Sequence, residues 1–240
     1  MCKIKVVCVL GLAWMMGAGL CIAENADGWN TEVSAGLSMT DGNSDTLLWN
    51  LGYGAKKTQG ANETTVAAGY NYGETEDATT TENATADLQY KRSVSDLIYG
   101  FGAASVLYDD IALVDYRAIV GPGLGYRLLN SDAHKVNLEL GVVWVGEDVA
   151  EVENDYAAVR AAQTWDWQIS DTSKLWEKVE YIPDFDNSDN YILNASLGVD
   201  SQIRENLSLR VSAVSRFDNE PGMNLEENDL QVLAGLVYKR

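Results

Sequence analysis

Apolar and polar residues alternate with a period of two along almost the whole chain after residue 23, and no stretch there keeps helical spacing. In an extended strand successive side chains leave on opposite faces, so this pattern specifies two-faced strands. Trp29, Thr31, Val33, Ala35, Leu37 and Met39 form one face of the first segment; Asn30, Glu32, Ser34, Gly36 and Ser38 form the other. Twelve such segments begin near Trp29, Thr46, Thr64, Asn83, Leu97, Tyr116, Lys135, Tyr156, Lys174, Tyr191, Leu207 and Leu230. Each segment with its connection takes about 18 residues, which accommodates the roughly 9–11 residues of a tilted membrane-crossing strand. The segment at Lys174 is the least regular, because Glu177 falls on its apolar face.

The two faces differ in a way that distinguishes lipid from a protein core. The glycines within segments, from Gly36 to Gly235 and including Gly100 and Gly102, fall on the polar face. Trp49, Tyr70, Tyr72, Tyr90, Tyr99, Phe101, Tyr126, Trp144, Trp165, Trp167, Tyr181, Phe217 and Tyr238 fall on the apolar face, many near segment ends. Tyr and Trp favour a lipid–water boundary. A soluble sandwich or barrel would hold these aromatics in its core beneath a glycine-rich surface. Aromatics turned to lipid, with small and charged residues turned to the lumen, is the simpler arrangement. The expected fold is all-β: an antiparallel up-and-down transmembrane β-barrel of about 12 strands, which satisfies every strand N–H and C=O within lipid. Pro122 has no N–H for a ladder, so a bulge is expected between Gly121 and Gly123.

Residues 1–23 read as a signal peptide, and 24–240 as the barrel. Lys3 and Lys5 precede an uncharged apolar run from Val6 to Leu20, and Cys21-Ile22-Ala23 sets small residues for cleavage near Ala23. A lipid-modified Cys21 is disfavoured by Leu20 directly before it. All three cysteines lie in this leader, so the exported chain needs no disulfide.

Composition narrows the function. The chain carries 17 Lys+Arg against 36 Asp+Glu, which leaves no basic footprint for nucleic acid. With a single histidine, His134, placed in a short turn, the usual His-based catalysis lacks its base, and no cofactor is expected. The expected partners are outer-membrane lipid, the barrel-assembly machinery during biogenesis, and divalent cations.

Connections alternate between short and mostly longer. The short set is Gln59–Asn62, Ser93–Asp96, Asn130–His134, Ser170–Ser173 and Arg204–Asn206. The longer set is Thr40–Asp45, Glu74–Glu82, Asp109–Asp115, Gly146–Asp155, Asp184–Asn190 and Asp218–Asp229. Short turns face the periplasm in such barrels and long loops face outward. The longer set is rich in Asp and Glu and has no Lys or Arg, so it is expected to form an acidic outer rim. Within it, Asp184, Asp186 and Asp189 are weak candidates for a cation site, without the glycine or distal Glu of a calcium loop. The polar face carries lumen charges of both signs: Glu32, Asp87, Glu139, Asp166, Glu180 and Asp200 against Lys56, Lys91, Arg117, Arg127, Arg160, Lys178, Arg210 and Arg216. They are expected either to brace the wall as pairs or to line a polarised pore.

The first hairpin (Trp29, Glu32, Gly36, then Thr40-Asp41-Gly42-Asn43-Ser44-Asp45-Thr46) and the glycine-rich run Val120-Gly121-Pro122-Gly123-Leu124-Gly125-Tyr126 resemble the YdiY-like salt-induced outer-membrane protein family. The resemblance extends over nearly the whole exported chain. It implies an outer-membrane location and a link to salt stress, and no catalytic or ligand residues. Lys239 and Arg240 stand where a terminal aromatic is common in outer-membrane barrels.

The expectation from sequence is therefore a non-catalytic outer-membrane barrel linked to salt or osmotic stress. A small cation-preferring diffusion channel and a surface protein whose acidic loops bind divalent cations are the alternatives.

Overall fold

The computed structural model describes residues 28–40, 45–222 and 225–240. The stretch read from sequence as a signal peptide (1–23) and the turn expected at Gly42-Asn43-Ser44 lie outside the described residues. Twelve strands are described: β1 (Trp29–Thr40), β2 (Thr46–Gln59), β3 (Asn62–Thr75), β4 (Ala78–Ser93), β5 (Ile98–Asp109), β6 (Val114–Asn130), β7 (His134–Val149), β8 (Val152–Ser170), β9 (Ser173–Pro183), β10 (Tyr191–Arg204), β11 (Leu207–Asp218) and β12 (Asn228–Lys239). Each pairs antiparallel with its sequence neighbours, and β1 pairs with β12, closing the barrel. Closure leaves no sheet edge, which is what lets a sheet stand in lipid.

Register sets which side chains face inward. Glu32 lies opposite Gly54 and Lys239, Gly52 opposite Gly69, and Asp200 opposite Arg210 and Lys174, so charged and small residues share the inner face. Leu37, Leu51, Leu88, Leu124, Leu140 and Val232 stand exposed on the outer face. Outward aromatics gather toward both ends. Trp49 packs on Tyr70 and Tyr72 near the loop end, and Tyr191 stacks on Phe217 there. At the turn end His134 stacks on Trp165 and Trp167.

Two hairpins are tighter than their sequence suggests. The connections expected over Glu74–Glu82 and Gly146–Asp155 are two-residue turns, Glu76-Asp77 (φ 53° and 62°) and Ala150-Glu151 (φ 53° and 64°). Positive φ at both central positions is the mark of a type I′ turn. The strands run on past the apolar band, so residues read as loop are strand in water; β8 reaches 19 residues. The β2–β3 turn uses Gly60 at φ 61°, where glycine carries no steric penalty.

β6 also departs from expectation. No bulge forms at Pro122. Val120 pairs with Trp144 and Gly123 with Gly141 in one unbroken register, and Gly121 and Pro122 simply drop out of the β6–β7 ladder. The missing N–H is accommodated by losing pairs, and Pro122 still lies opposite Gly102 on the β5 side.

The largest correction concerns β5. Tyr99 and Phe101 face the lumen, 1% and 5% exposed, and Gly100 and Gly102 face outward. Gly123 and Gly125 on β6 make the room: a Cβ at Gly123 would overlap the Phe101 ring, and one at Gly125 the Tyr99 ring. Gly123→Ala is therefore expected to cost about 1–3 kcal/mol through overpacking. Gly100→Ala, whose Cβ would meet nothing within 4 Å, is expected to leave stability unchanged. Urea midpoints in lipid vesicles check both, and the reverse ranking would mean that β5 faces the other way.

The lumen as candidate functional site

Charged side chains inside a barrel are costly unless paired, and the inward register brings opposite charges within reach. In the turn-side half one network centres on Glu139 of β7, which is buried. Its carboxylate pairs with Lys91 Nζ and Arg160 Nη1, each at 2.9 Å. It also accepts hydrogen bonds from Tyr99 Oη at 2.9 Å and Gln89 Nε2 at 3.0 Å. Arg160 Nε reaches Glu180 at 2.5 Å. The aromatic rings that β5 turns inward serve the cations: Lys91 and Arg127 lie 4.9 and 4.8 Å from the Tyr99 centroid, and Arg160 lies 5.4 Å from that of Phe101.

A second network closes the β1–β12 seam. Arg210 grips Asp200 with two hydrogen bonds of 2.7 and 2.8 Å and meets Glu32 at 3.1 Å. Lys239 Nζ joins Asp200 at 3.0 Å. The penultimate residue is thus a lumen charge that ties β12 to β10. Trp176 points inward over Gly198 and donates Nε1–H to Asp200 at 3.3 Å, with Arg210 over its ring.

In the loop-side half the pairs cross the barrel. Arg117 of β6 holds Glu147 of β7 at 2.5 Å and Asp218 of β11, on the far wall, at 2.5 Å. Arg216 of β11 stands 3.6 Å from Asp109 of β5, diametrically across the ring. Glu147, Asp218 and Asp109 belong to stretches read as an acidic outer rim, yet they turn inward and neutralise lumen arginines. Beside this bridge Val143, Val145, Ala158, Ile182 and Ile192 form a buried apolar cluster on the inner wall.

Between the halves lies a cavity of about 620 Å³, walled by Asn50, Asp87, Trp176, Lys178, Arg210 and Arg216 among others. Ile111, Val149, Pro221 and Leu225 line its loop end.

All the lumen charges expected from the alternation share the inner face. Lys56 pairs with Glu63 at 2.8 Å, and Asp166 with Lys174 at 2.5 Å. Arg127 bonds Ser93 Oγ and the carbonyls of Ser95 and Asp96 in the β4–β5 turn. Asp87 and Lys178 make no ion pair or hydrogen bond among the described residues and open onto the cavity. The sequence reading missed Tyr99, Phe101, Trp176 and the crossing acids. The signal available for the rings was the facing glycines Gly123, Gly125 and Gly198.

The structure does not bring the weak cation candidates together. Asp184 accepts from Asp186 N at 2.8 Å and from Asn190 Nδ2 at 3.2 Å, and Asp189 donates its N–H to Asn187. Among the described residues no three His, Cys, Asp or Glu gather as a metal site. His134 opens β7 on the outer face and accepts Trp165 Nε1–H at Nδ1, 3.3 Å away.

An apolar, aromatic-girdled outer wall around a charged lumen, in a closed antiparallel ring, defines an outer-membrane β-barrel. Residues 33–239 match the family described as "Protein of unknown function, DUF481", and the chain belongs to it. Comparison with curated proteins finds no match. Among solved structures the chain is similar to the NanC porin, with TM-score 0.51 and 7% identity over 88% of this chain and 99% of that one. It is also similar to the translocator domain of the autotransporter NalP from Neisseria meningitidis (TM-score 0.46, 12% identity, 95% and 96% covered) and to the KdgM porin (0.44, 8%, 88% and 98%). At such identities the likeness concerns fold alone.

Proposed function

We propose that this protein is a narrow, non-catalytic outer-membrane channel for small polar solutes, preferring cations and held shut at its outer end by ion pairs joining opposite walls. One observation carries the reading: the cavity of about 620 Å³ lies inside the lumen and is lined at its loop side by the charged side chains of Arg117, Asp218, Asp109 and Arg216, which cross the barrel. Bracing alone needs only pairs along one side of the wall, as between Arg160 of β8 and its neighbours Glu139 of β7 and Glu180 of β9. Pairs across the lumen do something more, because they obstruct the path.

Glu226, Glu227 and Asp229 also line the cavity from the loop side and make the entrance acidic, which supports a preference for cations. The link to salt stress fits the same reading. Exposed like charges on the loops repel over a Debye length of about 10 Å at 0.1 M salt and about 3 Å at 1 M. Rising salt therefore lets the loops settle over the mouth, while the Arg117–Asp218 pair, largely shielded from water, is screened much less. The expected result in a planar bilayer is discrete cation-selective openings whose open probability falls between 0.1 and 1 M salt. An open probability that rises over that range would remove the salt-responsive part of the proposal.

A further inference from the structure

We infer that the central cavity is a binding site for small zwitterionic solutes, with Lys178 receiving the anionic end and Asp87 the cationic end. The inference deepens the channel reading and rests on it only in that a solute reaches the lumen.

Asp87 on β4 and Lys178 on β9 project into the same cavity from walls five strands apart. They carry opposite charges yet stand beyond the roughly 4 Å at which an ion pair forms. Neither makes a hydrogen bond among the described residues, and both are exposed to the lumen. Arg117, Arg160, Arg210 and Glu139 close by are each held by two or more partners. Gly52 and Gly69, side by side on β2 and β3, line the same cavity, and the space over them is taken only by the small hydroxyl side chains of Ser34 and Thr85. The volume falls within the few hundred to about 1,000 Å³ typical of small-molecule sites. Trp176 gives the cavity an aromatic face and Asn50 an amide. A singly charged solute would meet one of the two charges and leave the other without a bonded partner, whereas a zwitterion of matching span meets both.

The test is equilibrium binding of radiolabelled γ-aminobutyrate to the refolded chain from Glu24 onward, with butyrate and butylammonium as singly charged probes. The inference predicts that γ-aminobutyrate binds about tenfold or more tighter than either. Asp87→Asn and Lys178→Gln should each erase that advantage while leaving folding, read by circular dichroism, intact, since neither side chain holds a bond in the barrel. Equal binding of the three probes, or γ-aminobutyrate binding indifferent to both substitutions, would overturn it. Binding without any conductance would keep this inference and sink the channel; conductance without binding would do the reverse.

Discussion

Glu139→Ala is expected to destabilise the barrel by about 3–5 kcal/mol, the cost of removing one partner from a buried charge network. The carboxylate is buried and neutralises Lys91 and Arg160 while accepting from Tyr99 and Gln89. Without it Arg160 keeps Glu180, but Lys91 has no other ion pair among the described residues and the Tyr99 hydroxyl loses its acceptor. Glu139→Gln keeps the volume and an acceptor and should lose less. Urea unfolding in lipid vesicles reads both. A near-zero effect of Glu139→Ala would mean that the turn-side network does not brace the wall.

Leu140→Arg is expected to cost about 2–4 kcal/mol, the penalty for Arg near the bilayer midplane of a barrel. Leu140 is 60% exposed on the outer face, on the strand that carries His134 toward one boundary and Trp144 toward the other. Its neighbour Glu139 faces the lumen, so adjacent positions should respond to opposite chemistry: loss of charge at 139, gain of charge at 140. Little change on Leu140→Arg in vesicles would place that face in water.

Much of the fold was legible because period two is a strong local signal. All twelve strands start within a few residues of where alternation begins, including the irregular β9, whose Glu177 does share a face with Leu175 and Val179. What alternation cannot supply is the phase of a strand when both faces carry plausible residues. Tyr99-Gly100-Phe101-Gly102 reads equally well with aromatics in lipid or in the lumen, and a flip exchanges every side chain. The choice was made by cations within the barrel, Lys91, Arg127 and Arg160, which need ring faces, and by glycines on β6 that leave room. Loop lengths failed at Glu76-Asp77 and Ala150-Glu151 because strand that continues into water turns polar on both faces and resembles loop. The crossing pairs were invisible for a different reason. Arg117 and Asp218 are 101 positions apart, and only closure of the ring brings their walls face to face.

The most direct test of a lumen shut by crossing pairs is single-channel recording of Asp218→Asn beside the parent chain. Arg117 keeps Glu147 in this variant, so the wall stays intact while the bridge to β11 is lost. The account predicts frequent cation-selective openings in Asp218→Asn where the parent chain opens rarely. Two equally silent membranes, with folding verified for both proteins, would contradict it and leave the barrel a closed, braced wall.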